Sequence, residues 1–141
     1  MPRRWSRLVL LLAASFPLLL ALGGGGAGPV SDTIPRPKDN YVADLLDKGG
    51  QKTRVEFLTC GGRTFFPLKV GEGTLMVPFS KVEKVSLEPG QGGDARVRID
   101  AGGAEPLEGM LPRSLLCTGS TEYGNFQVDL SGLQEIRIVR P

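Results

Sequence analysis

Residues 73–87 read GTLMVPFSKVEKVSL, and residues 124–138 read GNFQVDLSGLQEIRI. Side by side, the two stretches agree in character at Gly73/Gly124, Leu75/Phe126, Val77/Val128, Phe79/Leu130, Ser80/Ser131, Val82/Leu133, Val85/Ile136 and Leu87/Ile138. In each, apolar and polar residues alternate, the alternation breaks at the serine, and it then resumes. A period of two puts successive side chains on opposite faces of a strand. Each stretch therefore predicts a strand, a one-turn corner at the serine, and a second strand. Two such units packing their apolar faces together would make one core.

The same texture extends outward from the pair. A basic-led strand precedes each stretch, Arg54-Val-Glu-Phe57 and Arg96-Val-Arg-Ile99, each followed by a diglycine turn. On this alignment the repeat covers about 52–88 and 95–139, with some eleven extra residues, 111–121, in the second copy. Strands are predicted at 41–46, 52–60, 63–70, 74–79, 82–88, 95–100, 104–110, 114–118, 123–129 and 134–139, with glycines between them. Glycine reaches the positive φ that tight hairpin turns require, and short strands at regular spacing point to a sandwich or barrel. The fold expected is all-β, a small sandwich or partly open barrel built from two related strand–corner–strand units. Residues 41–48 are the one segment that could instead form a helix, with Asn40 as its N-cap and Gly49 closing it.

Upstream of this domain the chain changes character. Arg3, Arg4 and Arg7 precede an uncharged apolar run over residues 8–22, and Ala21-Leu22-Gly23 then places small residues where a signal peptidase cuts. The run is about 15 residues, short of the ~20 that span a bilayer as a helix, and Pro17 interrupts it. Residues 1–23 read as a removed signal peptide, with Gly25-Gly26-Ala27 as a second cleavage position and no membrane span remaining afterwards. The first cysteine is Cys60, too far along for lipid attachment after the apolar run. Residues 24–40, GGGAGPVSDTIPRPKDN, read as a flexible tether, because Pro35 and Pro37 favour extended backbone. The single β domain is then 41–141. Of 17 basic and 15 acidic residues, three arginines and no acid lie in the signal, which leaves 14 basic against 15 acidic. Nothing in that balance points to nucleic acid or anionic lipid.

The order IPRPKDNY, a β segment with a glycine turn, GEGTLMVPFSKVEKV and TEYGNFQVDLSGLQEI resembles small exported bacterial domains of unassigned function. The likeness covers most of residues 34–139. It rests on turn glycines and strand–corner–strand units and brings no catalytic residue with it. It implies a bacterial envelope setting, periplasmic or extracellular.

Few residues could carry chemistry. The chain has two cysteines, Cys60 and Cys117. In an oxidising compartment such a pair is often bonded; the competing reading is two separate buried thiols. No C-x-x-C is present to support thioredoxin-like exchange. There is no histidine, which removes Ser-His and Cys-His pairs and imidazole metal sites, and two thiolates are too few for a closed zinc site. No cofactor or metal is expected. Asp94, Asp100, Glu105, Glu108, Glu122 and Asp129 could supply a glycosidase-like pair, although scattered acids on turns and strand faces are ordinarily surface. Adjacent Phe65 and Phe66 must point to opposite faces of a regular strand, so one is core and the other either core or an exposed contact. The functional expectation is a non-catalytic envelope module that binds a protein, a surface polymer or its own copies. The alternatives are a carboxylate-type hydrolase and a redox-sensing or disulfide accessory protein.

Overall fold

The computed structural model describes residues 33–90 and 92–139. The signal-peptide reading and the first part of the tether lie outside these residues. Ten strands follow in chain order: β1 (Val42–Asp47), β2 (Lys52–Cys60), β3 (Phe65–Val70), β4 (Gly73–Pro78), β5 (Lys84–Leu87), β6 (Asp94–Asp100), β7 (Leu107–Pro112), β8 (Leu116–Thr121), β9 (Gly124–Asp129) and β10 (Leu133–Val139). All pair antiparallel in one curled sheet, a half-barrel in the order β4-β3-β7-β6-β5-β10-β1-β2-β8-β9. The all-β expectation holds. Within residues 41–48 the structure is the strand Val42–Asp47 rather than a helix, because Ala43 and Leu45 alternate into the core from β1.

The strand order reads the same from both ends when β1 is exchanged with β6, β2 with β7, β3 with β8, β4 with β9 and β5 with β10. The chain is thus two topologically equivalent units, 42–87 and 94–139, of equal length. This moves the expected repeat boundaries. Arg96-Val-Arg-Ile99 lies in β6, whose counterpart is β1 and not the β2 strand that carries Arg54-Val-Glu-Phe57. The physical match is Ala43 and Leu45 with Ala95 and Val97, which face the core at equivalent places.

Both expected corners are present as single 3₁₀ turns, Phe79–Lys81 and Leu130–Gly132. In each, the first residue drops into the core and its amide reaches back across the sheet. Phe79 N–H donates to Thr64 O (2.9 Å) and Leu130 N–H to Leu115 O (3.0 Å). Phe79 sits beside Phe66, with ring centroids 4.7 Å apart, and meets Tyr41 edge-on at 5.5 Å. Leu45, Leu58, Leu68, Ile99, Leu111 and Ile136 fill the same core.

The terminal hairpins, β3–β4 and β8–β9, join the middle six strands through seams that need close approach. A side chain at Gly109 of β7 would run into the carbonyl of Lys69, and one at Gly119 of β8 would come within 2.6 Å of the Val55 side chain. The β2–β8 seam is closed by the Cys60–Cys117 disulfide and by a buried hydroxyl–hydroxyl hydrogen bond between Thr59 and Thr118 (2.9 Å). Just before it β2 bulges: the register shifts between Glu56 and Thr59, and Phe57 takes φ 54°. A positive φ is unfavourable for a bulky residue, and the segment before β1 holds it in place. Asn40 Oδ1 accepts from Phe57 N–H (2.8 Å), Asn40 Nδ2 donates to Glu56 Oε1 (3.3 Å), and the Arg36 guanidinium lies 4.0 Å from the Phe57 ring centroid.

Asn40, read from sequence as a helix cap, therefore caps a bulge, and residues 36–40 are part of the fold rather than free tether. Asn40→Ala leaves the Phe57 amide without its partner. We expect it to lower the unfolding free energy by about 0.5–1.5 kcal/mol in urea titration, the usual net worth of one intramolecular hydrogen bond.

Candidate functional site

The two sheet ends differ in chemistry although their topology matches. At one end β4 is an edge strand. Hydrogen-bonded pairs in an antiparallel ladder alternate, and the Phe79-to-Thr64 bond fixes the phase. Val77, Leu75 and Gly73 turn their main chain toward β3, so Thr74 and Met76 turn theirs outward. Pro78, also outward, has no N–H to offer. Val70, Leu75 (45% exposed) and Met76 (63% exposed) make this edge apolar.

Toward the other end, where β9 is the edge strand, β2 runs on past its partner β8. Its last pair with β8 before the bulge is Glu56 with Ser120, and the hairpin closes at Thr121 with Gly124. Residues 52–54 pair only with β1. The Asp47-to-Gln51 amide bond (2.9 Å) again sets the phase: Thr53 and Val55 face β1, while Lys52 and Arg54 present N–H and C=O to the open side. Here lies a cleft of about 550 Å³ whose lining includes Lys52, Arg54, Glu56, Glu122, Tyr123 and Phe126.

The cleft's groups are held before any ligand arrives. Glu122 and Tyr123 form a two-residue hairpin turn. Tyr123 N–H donates to Thr121 Oγ1 (3.1 Å), and that hydroxyl donates to Gly124 O (2.8 Å). The Tyr123 side chain is 91% exposed at this fixed tip. Arg54 is held by Asp44, with Nε to Oδ1 at 2.8 Å and Nη2 to Oδ2 at 3.0 Å. This hydrogen bond outweighs desolvation and holds the Asp44 carboxyl below its ordinary value of 3.8.

A depressed folded-state value means the stabilisation is present above the ordinary carboxylate pKa and is lost as pH falls through the folded value. Asp44→Asn is therefore expected to flatten the fall in melting temperature below about pH 4, measured by thermal denaturation across pH 2–6. The effect is modest, because the Arg54 end of the pair is solvent-exposed.

The residues singled out from sequence are distributed as follows. Cys60 and Cys117 are bonded and buried at the β2–β8 seam. Phe66 is wholly buried in the core, so the exposed-contact reading fails for it; the inward face of β3 is the one that packs on Phe79. Phe65 is half-buried, with the Arg63 guanidinium 5.5 Å from its ring centroid. The six acids are not gathered into one place. Asp94 and Asp100 sit at opposite ends of β6, paired with Lys69 (3.1 Å) and with Arg98 (3.5 Å) and Lys84 (3.9 Å). Glu105 lies in the following turn, Glu108 on β7, Glu122 at the β8–β9 tip and Asp129 at the end of β9.

Among the described residues no group of three or more Cys, Asp or Glu could hold a metal ion. Glu56 and Glu122 both line the cleft, but both are exposed, and Glu56 is bonded to Asn40. That suits a hydrogen-bonding wall better than a desolvated acid–base pair. Sequence reasoning missed Tyr123. Its signal was the repeat itself, in which Tyr123 occupies the place of Glu72 in the equivalent tight turn, where an aromatic has no packing role.

A family model described as "Uncharacterised protein" matches residues 37–141, which take in every strand of the sheet. The chain belongs to this family. Within that span it is similar to an uncharacterised protein of Aquifex aeolicus (strain VF5), at 22% identity over 102 residues, covering 72% of this chain and 77% of the relative. No solved structure matches. The family match begins at Pro37, close to Asn40, so the bulge cap lies inside the matched region.

Proposed function

We propose that this protein is a non-catalytic, exported envelope module that binds another protein or a surface polymer through an edge of its sheet. The observation that carries the reading is unpaired main chain at the margins of the sheet: Lys52 and Arg54 on β2, Thr74 and Met76 on β4, and the outer side of the terminal strand β9. Open sheet edges accept an added strand, with main-chain hydrogen bonds supplying affinity. Export is supported by the signal-like residues 1–23 and by the Cys60–Cys117 bridge, since disulfides persist in oxidising compartments. The burial of that bridge beneath strands counts against a redox-sensing role, which needs an accessible pair. The dispersal of the six acids, with Asp94 and Asp100 held in ion pairs, counts against a hydrolase.

The test is fractionation of the native cells followed by affinity purification of the tagged chain after mild cross-linking. The reading predicts a processed chain lacking residues 1–23 in the envelope fraction. It also predicts a stoichiometric partner, or a second copy, whose recovery falls when an edge is blocked with proline at Arg54 or Met76. An unprocessed cytoplasmic chain, or a processed one recovered alone and monomeric, contradicts it.

A further inference from the structure

We infer that the cleft between the β2 edge and the β8–β9 tip is a binding site for an extended segment of a partner protein, one carrying an acidic residue and an apolar side chain. This rests on the binding-module reading above and places the ligand at the β2 overhang rather than along the terminal strands β4 and β9. The outward main-chain groups of Lys52 and Arg54 are two residues apart, the spacing at which an added strand returns N–H and C=O together. Opposite them the Tyr123 and Phe126 rings offer apolar area, with the Tyr123 main chain held by the Thr121 hydroxyl. Alternate side chains of an added strand would thus meet rings on one side and the charged row of β2 on the other.

In that row Arg54 is already engaged by Asp44, and Glu56 by Asn40. Lys52 has no salt bridge among the described residues and is exposed. It is the cation left for a ligand carboxylate, in the cross-strand arrangement that favours opposite charges. The β4 edge has no such selectivity: its outward positions are Thr74, Met76 and the blunt Pro78. Tyr123 has the further mark of a contact residue, being a large aromatic, almost fully exposed, on a hydrogen-bonded turn.

The test begins by panning a displayed library of random decapeptides on the full chain. Amide hydrogen exchange of the chain is then followed with the selected peptide. Protection is expected at the Lys52 and Arg54 amides, with acidic residues enriched among the selected sequences. Tyr123→Ala is expected to weaken binding roughly tenfold while leaving the melting temperature unchanged, because its side chain packs on nothing. Lys52→Glu is expected to reverse the preference for acidic peptides.

Protection at Thr74 and Met76, with none at Lys52 and Arg54, overturns the site and leaves the edge-binding function standing. If no peptide is selected and neutral oligosaccharides instead perturb the cleft side chains without protecting these amides, the ligand class is overturned. Protection nowhere, with the partner also absent from cells, removes both the site and the function.

Discussion

Replacing Cys60 and Cys117 together with alanine is expected to lower the unfolding free energy by about 4 kcal/mol. The bridge closes a loop spanning 57 residues, and loop-closure entropy in the unfolded chain gives that magnitude for this length. For a domain of this size the loss equals a fall in melting temperature on the order of 20 °C, and total stability is often only ~5–15 kcal/mol. The place of the bridge adds a local effect. β8–β9 is a terminal hairpin whose seam with β2 is interrupted by the Phe57 bulge, so few ladder bonds remain to hold it. Reduction without mutation separates the two contributions, since it removes the covalent link and keeps the side chains. Chemical denaturation of the oxidised, reduced and double-alanine forms measures both. A change below about 1 kcal/mol would mean that the reduced chain already holds its ends together.

Phe79→Ala is expected to cost about 3–5 kcal/mol, the range for emptying a buried aromatic site. Phe79 is wholly buried, touches Phe66 and Tyr41, and starts the corner whose amide is bonded to Thr64. Its counterpart in the second unit is Leu130, buried at the start of the other corner. Leu130→Ala should cost somewhat less, about 2–4 kcal/mol, because less apolar volume is removed. The comparison tests whether the two corners do equivalent work. A Phe79→Ala chain that unfolds at the same urea concentration as the parent would contradict the packing described here.

Much of the fold was legible because its information is local. Each predicted strand has its counterpart in the sheet, since alternation such as Val85/Leu87 or Val97/Ile99 reports a half-buried strand without reference to its neighbours. Both corners were legible for the same reason, through a buried residue followed by a serine. Pairing was not. Arg54-Val-Glu-Phe57 and Arg96-Val-Arg-Ile99 look alike as strings, yet the sheet makes β6 the partner in symmetry of β1, a relation set by which strands meet across the core. The bulge was hidden too, because Phe57 carries no turn signature and owes its φ to Asn40 and Arg36 seventeen and twenty-one residues earlier.

Of the site, sequence singled out Phe65 and Phe66, two aromatics chosen for their adjacency, and one of them proved to be core. The cleft depends on where β2 outruns the β8–β9 hairpin, which follows from loop lengths and register rather than composition. Tyr123 was hidden for the same reason: alternation puts it at the start of a strand, and only the Thr121–Gly124 pairing places it in the turn, where it has nowhere to pack. The disulfide lay between these cases. Two cysteines in a chain whose sequence reads as exported raise the question of a bridge, and only the Cys60–Cys117 register answers it.

The most direct test of the central claim, that this sheet acts by binding through an edge, is site-specific photo-cross-linking in living cells. A photoreactive residue would be placed in turn at Tyr123, at Met76 and at exposed Glu108 on the middle strand β7. The account predicts one discrete adduct to a single partner from an edge position, strongest from Tyr123, and none from Glu108. Adducts of equal yield from all three positions, or none from either edge, would contradict it.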